Sequence, residues 1–230
     1  GQLLFIGIPG PEIDAETYRL LNEIKPGGIC LFARNIKSPE QTSELLAGIR
    51  AASSTEPFLS VDQEGGLVDR LRRVLAPMPA ASKLGSVAEA RELAVIIGNA
   101  LNSLGFNMDF APVVDVIDER RAAFVNGLHS RAFGGSANDV TEFAGEFLRT
   151  LHASGIIGCV KHFPGLGASE VDSHEELPLV TIDQAEFDSV DLVPYRELIA
   201  EGSVHAVMVA HAAFPNLELQ ETGQNGKLLP

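Results

Sequence analysis

Short apolar, β-rich runs alternate with amphipathic segments along the whole chain, and this alternation restricts the fold more than any other property. The apolar runs are Leu3 to Ile8, Gly28 to Phe32, Phe58 to Val61, Phe106 to Val114, Gly158 to Val160 and Ala206 to Ala210. Between them, Asp14 to Ile24, Pro39 to Ala52, Ser86 to Leu104, Asp139 to Ser154 and Asp183 to Glu201 carry apolar residues at helical spacing. Ser38 before Pro39 reads as an N-cap followed by a proline at the first helical position, and Thr181 or Asp183 suits the start of the last helix. Near-continuous apolar strands alternating with helices predict a parallel sheet covered on both faces. Two architectures satisfy that pattern, a doubly wound sheet and a barrel.

The polar residues at the strand ends favour the barrel. Asp62 and Glu64 follow the third run, Asp115 the fourth, Lys161 and His162 the fifth, and His211 the sixth. A doubly wound sheet concentrates its site at one switch point, whereas a (β/α)8 barrel gathers side chains from many strand ends around one mouth. Six strands are visible and eight are needed for closure. No internal repeat, low-complexity tract or linker breaks the chain, and the stretch from Asn216 to Pro230 reads as loop. With 230 residues and 45% hydrophobic content, one large core is affordable. The net charge of −14 argues against nucleic acid or an anionic membrane as partner, since both reward basic patches. Cys30 and Cys159 each lie in an apolar run, so buried thiols are expected instead of a disulfide. No apolar run reaches transmembrane length, and nothing at the start resembles a signal peptide, so a cytoplasmic location is expected. Gly1 in place of Met leaves the native beginning open.

The run KHFPGLGASEVDSH, positions 161 to 174, is where chemistry is expected. Pro164 fixes one φ, and Gly165 and Gly167 let the backbone turn where a side chain would obstruct it. Within the run, Asp172 precedes His174 by two residues. A carboxylate so placed can hold one ring nitrogen and leave the other free to shuttle a proton.

Taken in order, Asp62-Gln63-Glu64-Gly65-Gly66, Ser130-Arg131-Ala132-Phe133-Gly134 and Lys161-His162-Phe163-Pro164-Gly165 resemble family 3 glycoside hydrolases, and the D-S-H loop resembles their bacterial β-N-acetylglucosaminidase subgroup. The resemblance covers nearly the whole chain. It implies an α/β fold, a (β/α)8 TIM-type barrel with the C-terminal part missing, as one family 3 N-terminal barrel domain over residues 1 to 230. It further implies an exo-acting, retaining β-N-acetylhexosaminidase without cofactor or metal, acting on N-acetylglucosamine in cell-wall or chitin-type glycosides, with a role in peptidoglycan recycling. Asp62, Arg70, Arg131, Lys161 and His162 would hold the sugar, and Asp172 with His174 would protonate the leaving oxygen and then activate water. The family nucleophile is an Asp in an S-D-D-L-like run on the seventh strand, and the sequence reaches Leu228-Leu229-Pro230 before such a run. Two departures stand out. Leu166 occupies a position where the family usually has His, and Leu67 one where it often has Arg, which points to altered loop packing or subsite preference.

Other readings compete at several residues. Asp62 and Asp172 could each cap a turn, Lys161 and His162 could form a structural ion pair, Arg131 could brace the core, and Glu64 could ligate or brace. His129, His152, His205 and His211 read as packing or surface residues. At the level of function, the alternatives are a sugar-binding protein without turnover, phosphorolysis in place of hydrolysis, and a metal-dependent hydrolase using His162, Asp172, His174 and His211. In a chain that turned over without the seventh strand, Asp115 would be the candidate nucleophile.

Overall fold

The strands of the main sheet form where β-branched and apolar residues run together, and each pairs in parallel with its neighbour in that sheet. The computed structural model describes residues 1–171, 177–218, 220–223 and 226–228. Strand β1 (Phe5–Gly7) pairs with β2 (Gly28–Leu31), and β2 with β3 (Phe58–Val61), in the registers Phe5 to Gly28 and Gly28 to Phe58. A short antiparallel hairpin, β4 (Gln63–Gly65) and β5 (Val68–Asp69), then leaves the sheet. The sheet continues with β6 (Met108–Asp109), β7 (Ile157–Phe163) and β8 (Ala206–Val209), all parallel. The spatial order β1-β2-β3-β6-β7-β8 follows the chain. It is the order of a barrel sheet opened along one seam, and the (β/α)8-type architecture expected from the sequence is present as a six-stranded, curled parallel sheet with helices on its outer face.

Local chemistry starts the helices where the sequence predicts. Helix α1 (Ala15–Ile24) is capped by Asp14, whose side chain accepts from the Thr17 N–H at 2.7 Å, and α2 (Pro39–Ala52) by Ser38 with Pro39 at its first position. Helix α3 (Val87–Leu104) starts at Ser86 and ends at Gly105, whose φ of 102° closes the helix in the left-handed region. Helix α4 (Ala137–Ala153) is capped by Ser136. Their inner faces, including Leu46, Ile49, Ile97, Leu101, Phe147 and Leu151, join Ile29, Leu31, Leu59, Val61 and Val160 of the strands in one buried cluster. Each such side chain contributes about 1.5–3 kcal/mol by leaving water, so this cluster fixes the frame on which the strand-end loops are mounted. Among the described residues, no helix is long and apolar enough to cross a membrane.

Three expectations are corrected. The run Phe106 to Val114 is regular strand only at Met108–Asp109, because Pro112 has no N–H to give a ladder. The rest still follows β7 through single bonds, from Cys159 N–H to Ala111 O, Lys161 N–H to Pro112 O and Val114 N–H to Lys161 O. Strand β7 extends to Phe163, so Lys161 and His162 lie in the strand and not after it. The single helix expected over Asp183 to Glu201 is broken into α5 (Gln184–Glu186), a π-turn over Phe187–Asp191 and α6 (Val193–Ala200). Pro194 is the physical reason. Lacking an N–H and crowding the carbonyl four residues earlier, it forces the ladder to widen, and Leu192 N–H reaches back five residues to Phe187 O.

Candidate active site

The chain turns sharply after β3, and that turn is built by buried polar groups. Gln63 donates from its backbone N–H to Asp109 Oδ1 at 2.9 Å and from Nε2 to Asp69 Oδ1 at 2.9 Å, and its own Oε1 accepts from Leu71 N–H. Gly65, at φ 91°, lies so close to Pro79 that a Cβ there would sit 2.2 Å from the carbonyl oxygen. Gln63 and Gly65 are therefore demanded by the hairpin before any ligand is considered, and its folding aims Asp62 and Glu64 toward the C-terminal ends of the strands.

Lys161 meets them there from β7. Its side chain is 1% exposed, and Nζ lies 2.8 Å from Asp62 Oδ1 and 2.5 Å from Glu64 Oε1. Arg131 grips Glu64 with two parallel bonds, Nε to Oε2 at 2.8 Å and Nη2 to Oε1 at 2.9 Å. Burial alone would raise the Glu64 carboxyl, but Lys161 and Arg131 outweigh it and hold the pKa at about 2. Burial likewise opposes the Lys161 ammonium, and the paired carboxylates more than compensate, so its pKa is raised. Directly behind, fully buried Asp109 has its pKa raised well above the carboxylate range by desolvation and by the nearby Asp62 and Glu64. Burial thus favours its protonated form at the base of the site.

His162 follows Lys161 through a cis peptide bond. Its Nδ1 lies 2.7 Å from Asp115 Oδ2, while Asp115 Oδ1 accepts the Leu166 N–H at 2.6 Å. Arg131 Nη2 approaches His162 Nε2 at 3.4 Å. The structure thus brings five of the sequence-expected residues, Asp62, Arg70, Arg131, Lys161 and His162, onto one cavity of about 700 Å³, shared with Cys30, Phe32, Leu166, Met208 and His211. That volume lies in the range of small-ligand sites. Asp62 remains partly open to it, and the Arg70 Nε has no hydrogen-bond partner among the described residues.

Asp172 and His174 lie outside the described residues. The loop root before them is well held: Asn126 Nδ2 donates to Ser169 O at 2.7 Å, and Gly167 packs against the Val116 carbonyl. Glu64 is a brace, taken up by Arg131 and Lys161. Asp115, the candidate substitute nucleophile, is fully buried and committed to His162 and Leu166. It is not among the residues that line the cavity. Three contributors were not read from the sequence as part of the site: Gln63 and Asp109, which support it from behind, and His211, read as structural, which reaches the cavity wall. A strand-end His was the only available signal for the last. Among the described residues no group of three or more His, Cys, Asp or Glu converges as metal ligands.

A parallel α/β barrel sheet with an ion-paired polar cavity at the carboxyl ends of its strands defines a class, that of barrel enzymes whose strand-end loops hold a small substrate. Residues 1–229 match the glycosyl hydrolase family 3 N-terminal domain, and the chain belongs to that family. It is 38% identical over 224 residues to a beta-hexosaminidase of Pseudomonas aeruginosa (strain LESB58), covering 96% of this chain and 65% of that protein. It is 35% identical over 228 residues to a beta-hexosaminidase of Tolumonas auensis, covering 96% of this chain and 66% of that one. Among solved structures it is similar to a family 3 beta-N-acetylglucosaminidase from Paenibacillus sp. str. FPU-7 (TM-score 0.86, 37% identity, 95% of this chain and 42% of that one). It is also similar to NagZ from Neisseria gonorrhoeae in complex with N-trifluoroacetyl-D-glucosamine (TM-score 0.83, 30% identity, 94% and 65%). The chain therefore spans about 65% of the length of these curated relatives.

Proposed function

We propose that this chain forms the sugar-binding barrel of an exo-acting, retaining β-N-acetylhexosaminidase that removes terminal N-acetylglucosamine from cell-wall or chitin-type glycosides. The observation that carries the reading is the convergence of Asp62, Arg70, Arg131, Lys161 and His162 on one cavity. It joins a partly open carboxylate to fixed cations, the donor and acceptor set that a polyhydroxylated ring needs. The names of the beta-hexosaminidase relatives and the glucosamine derivative in the Neisseria structure support the 2-acetamido sugar. A cytoplasmic role in recycling cell-wall fragments goes with this reading.

In the proposed reaction a carboxylate attacks the anomeric carbon while the His174 imidazolium gives its proton to the departing glycosidic oxygen. The neutral imidazole then takes a proton from water as that water displaces the carboxylate. Asp172 favours the imidazolium in the first step. The engagement of Asp115 with His162 and Leu166 supports a nucleophile elsewhere, the seventh-strand Asp that the family resemblance implies.

The test is hydrolysis of an aryl N-acetyl-β-glucosaminide against the aryl β-glucoside, using the natural full-length protein. Turnover of the first, with retained configuration, is expected. His174→Ala should lose activity on poor leaving groups by roughly 10²–10⁴-fold and far less on a good one, as for other general acids. Equal loss on both leaving groups removes His174 from the acid role. Sugar binding by calorimetry without any turnover favours the binding-protein reading instead.

A further inference from the structure

His162 stands between two partners that fix its protonation pattern from opposite sides. On one side the fully buried Asp115 presents Oδ2 to Nδ1 at 2.7 Å, and an ionised carboxylate only accepts. On the other, Arg131 Nη2 lies 3.4 Å from Nε2, and a guanidinium only donates. Both are satisfied by one neutral tautomer, with the proton on Nδ1 and a lone pair on Nε2. Asp115 cannot swing away to relax this, because Oδ1 is held by the Leu166 N–H at 2.6 Å and the residue is enclosed.

We propose that Asp115 is a positioning residue that makes His162 a hydrogen-bond acceptor toward the cavity, so that the site demands a hydroxyl that donates at this point. The inference deepens the proposed sugar site and rests on it for the identity of the ligand. The Arg131 contact is long at 3.4 Å, so a hydroxyl would enter between the two groups, give its hydrogen to His162 Nε2 in place of Arg131, and accept from Arg131 with its oxygen. Fluorine entering the same place can accept from Arg131 but has nothing to donate, so it breaks the Arg131 contact to Nε2 and leaves that lone pair unpaired. The site thereby tells a free hydroxyl from any substituent that only accepts, including an ether oxygen of a further substituent at that position.

The assignment is tested on the 230-residue protein by ¹⁵N NMR of the histidine ring nitrogens at a pH where His162 is neutral, in wild type and in Asp115→Asn. Wild type should show the proton on Nδ1. In the variant the Leu166 N–H still needs an acceptor, so the amide oxygen turns to it. The NH₂ then faces Nδ1, and the ring proton moves to Nε2. Binding is read in parallel with N-acetylglucosamine and with analogues carrying fluorine at each ring hydroxyl in turn. One analogue should bind wild type about tenfold or more weakly, the usual cost of an unpaired buried group. Asp115→Asn should bind that same analogue within about twofold of the parent sugar, because its His162 now donates. A proton on Nε2 in wild type overturns the proposal, and that measurement needs no variant to fold. So does identical discrimination by both proteins. If the tautomers behave as stated and neither protein binds any sugar, the glycosidase reading fails while Asp115 keeps its orienting role.

Discussion

At Lys161 one ammonium bridges two carboxylates inside the fold, and a third acid lies behind them. Removing that charge leaves Asp62 and Glu64 facing each other with only Arg131 to compensate. Lys161→Met should therefore cost about 3–5 kcal/mol at neutral pH, read from urea unfolding. Part of the loss should return at pH 5, as protonation becomes able to relieve the pair. No recovery on acidification would show that packing, not charge, is the cause. Asp109 gives the opposite case. Its folded pKa is raised, so the native state keeps a proton that the unfolded chain gives up above its ordinary value of 3.8. The native state thus loses stability as pH climbs from there. Asp109→Asn keeps an acceptor for the Gln63 N–H and removes that slope. Melting at pH 7 should be unchanged or higher, with a flatter profile above the ordinary value of 3.8, and a clearly lower melting temperature would mean Asp109 is ionised and paired. Asp62 and Lys161 were legible as site residues because their motifs place carboxylate and cation at strand ends. The brace between Arg131 and Glu64 was not legible, since 67 residues separate them and only the curl of the sheet brings them together.

The elements show where local rules hold and where neighbours override them. The caps at Ser38 and Asp183 were readable because a cap depends on residues within one turn. The break at Phe187–Asp191 has its signal in Pro194, yet its consequence lies in tertiary structure. The π-turn carries Asp191 inward to meet Arg121, with Nη1 to Oδ1 and Nη2 to Oδ2 both at 2.8 Å and both side chains fully buried. Asp191→Asn should destabilise by about 3–5 kcal/mol, because it strands a buried guanidinium. Thermal unfolding checks this, and a change below about 1 kcal/mol would mean that Glu186 alone satisfies Arg121. The same Asp191 packs under Gly165, and Gly167 lies against Val116, where a Cβ would be 2.3 Å from the carbonyl oxygen. Gly167→Ala must displace the backbone. A loss of about 1–3 kcal/mol is expected, with weaker sugar binding because the shift is passed along the loop to Leu166, Asp115 and His162. Unchanged binding by calorimetry would uncouple the loop from the site.

For the whole molecule, the open side of the sheet matters most. Strands β1 and β8 end the sheet among the described residues, and Phe5, Phe58, Val207 and Val209 present 40 to 67% of their surface on or beside it. Unpaired strand edges beside apolar side chains favour association, while the net charge of −14 opposes it. The 230-residue polypeptide should self-associate more strongly as salt screens that charge, and Val209→Lys should reduce the effect, both followed by light scattering. A monomer at every ionic strength would show that the edges protect themselves. The sequence by itself determined the alternation of strand and helix, the parallel order and the position of Asp62 just past its strand, because each follows from periodicity and from chemistry within a few residues. Only the tertiary structure decided which charges pair, that Asp115 lies against His162, and that burial raises the Asp109 pKa. Those outcomes depend on burial and on distances of a few ångströms between residues far apart in the chain, and local pattern does not encode them.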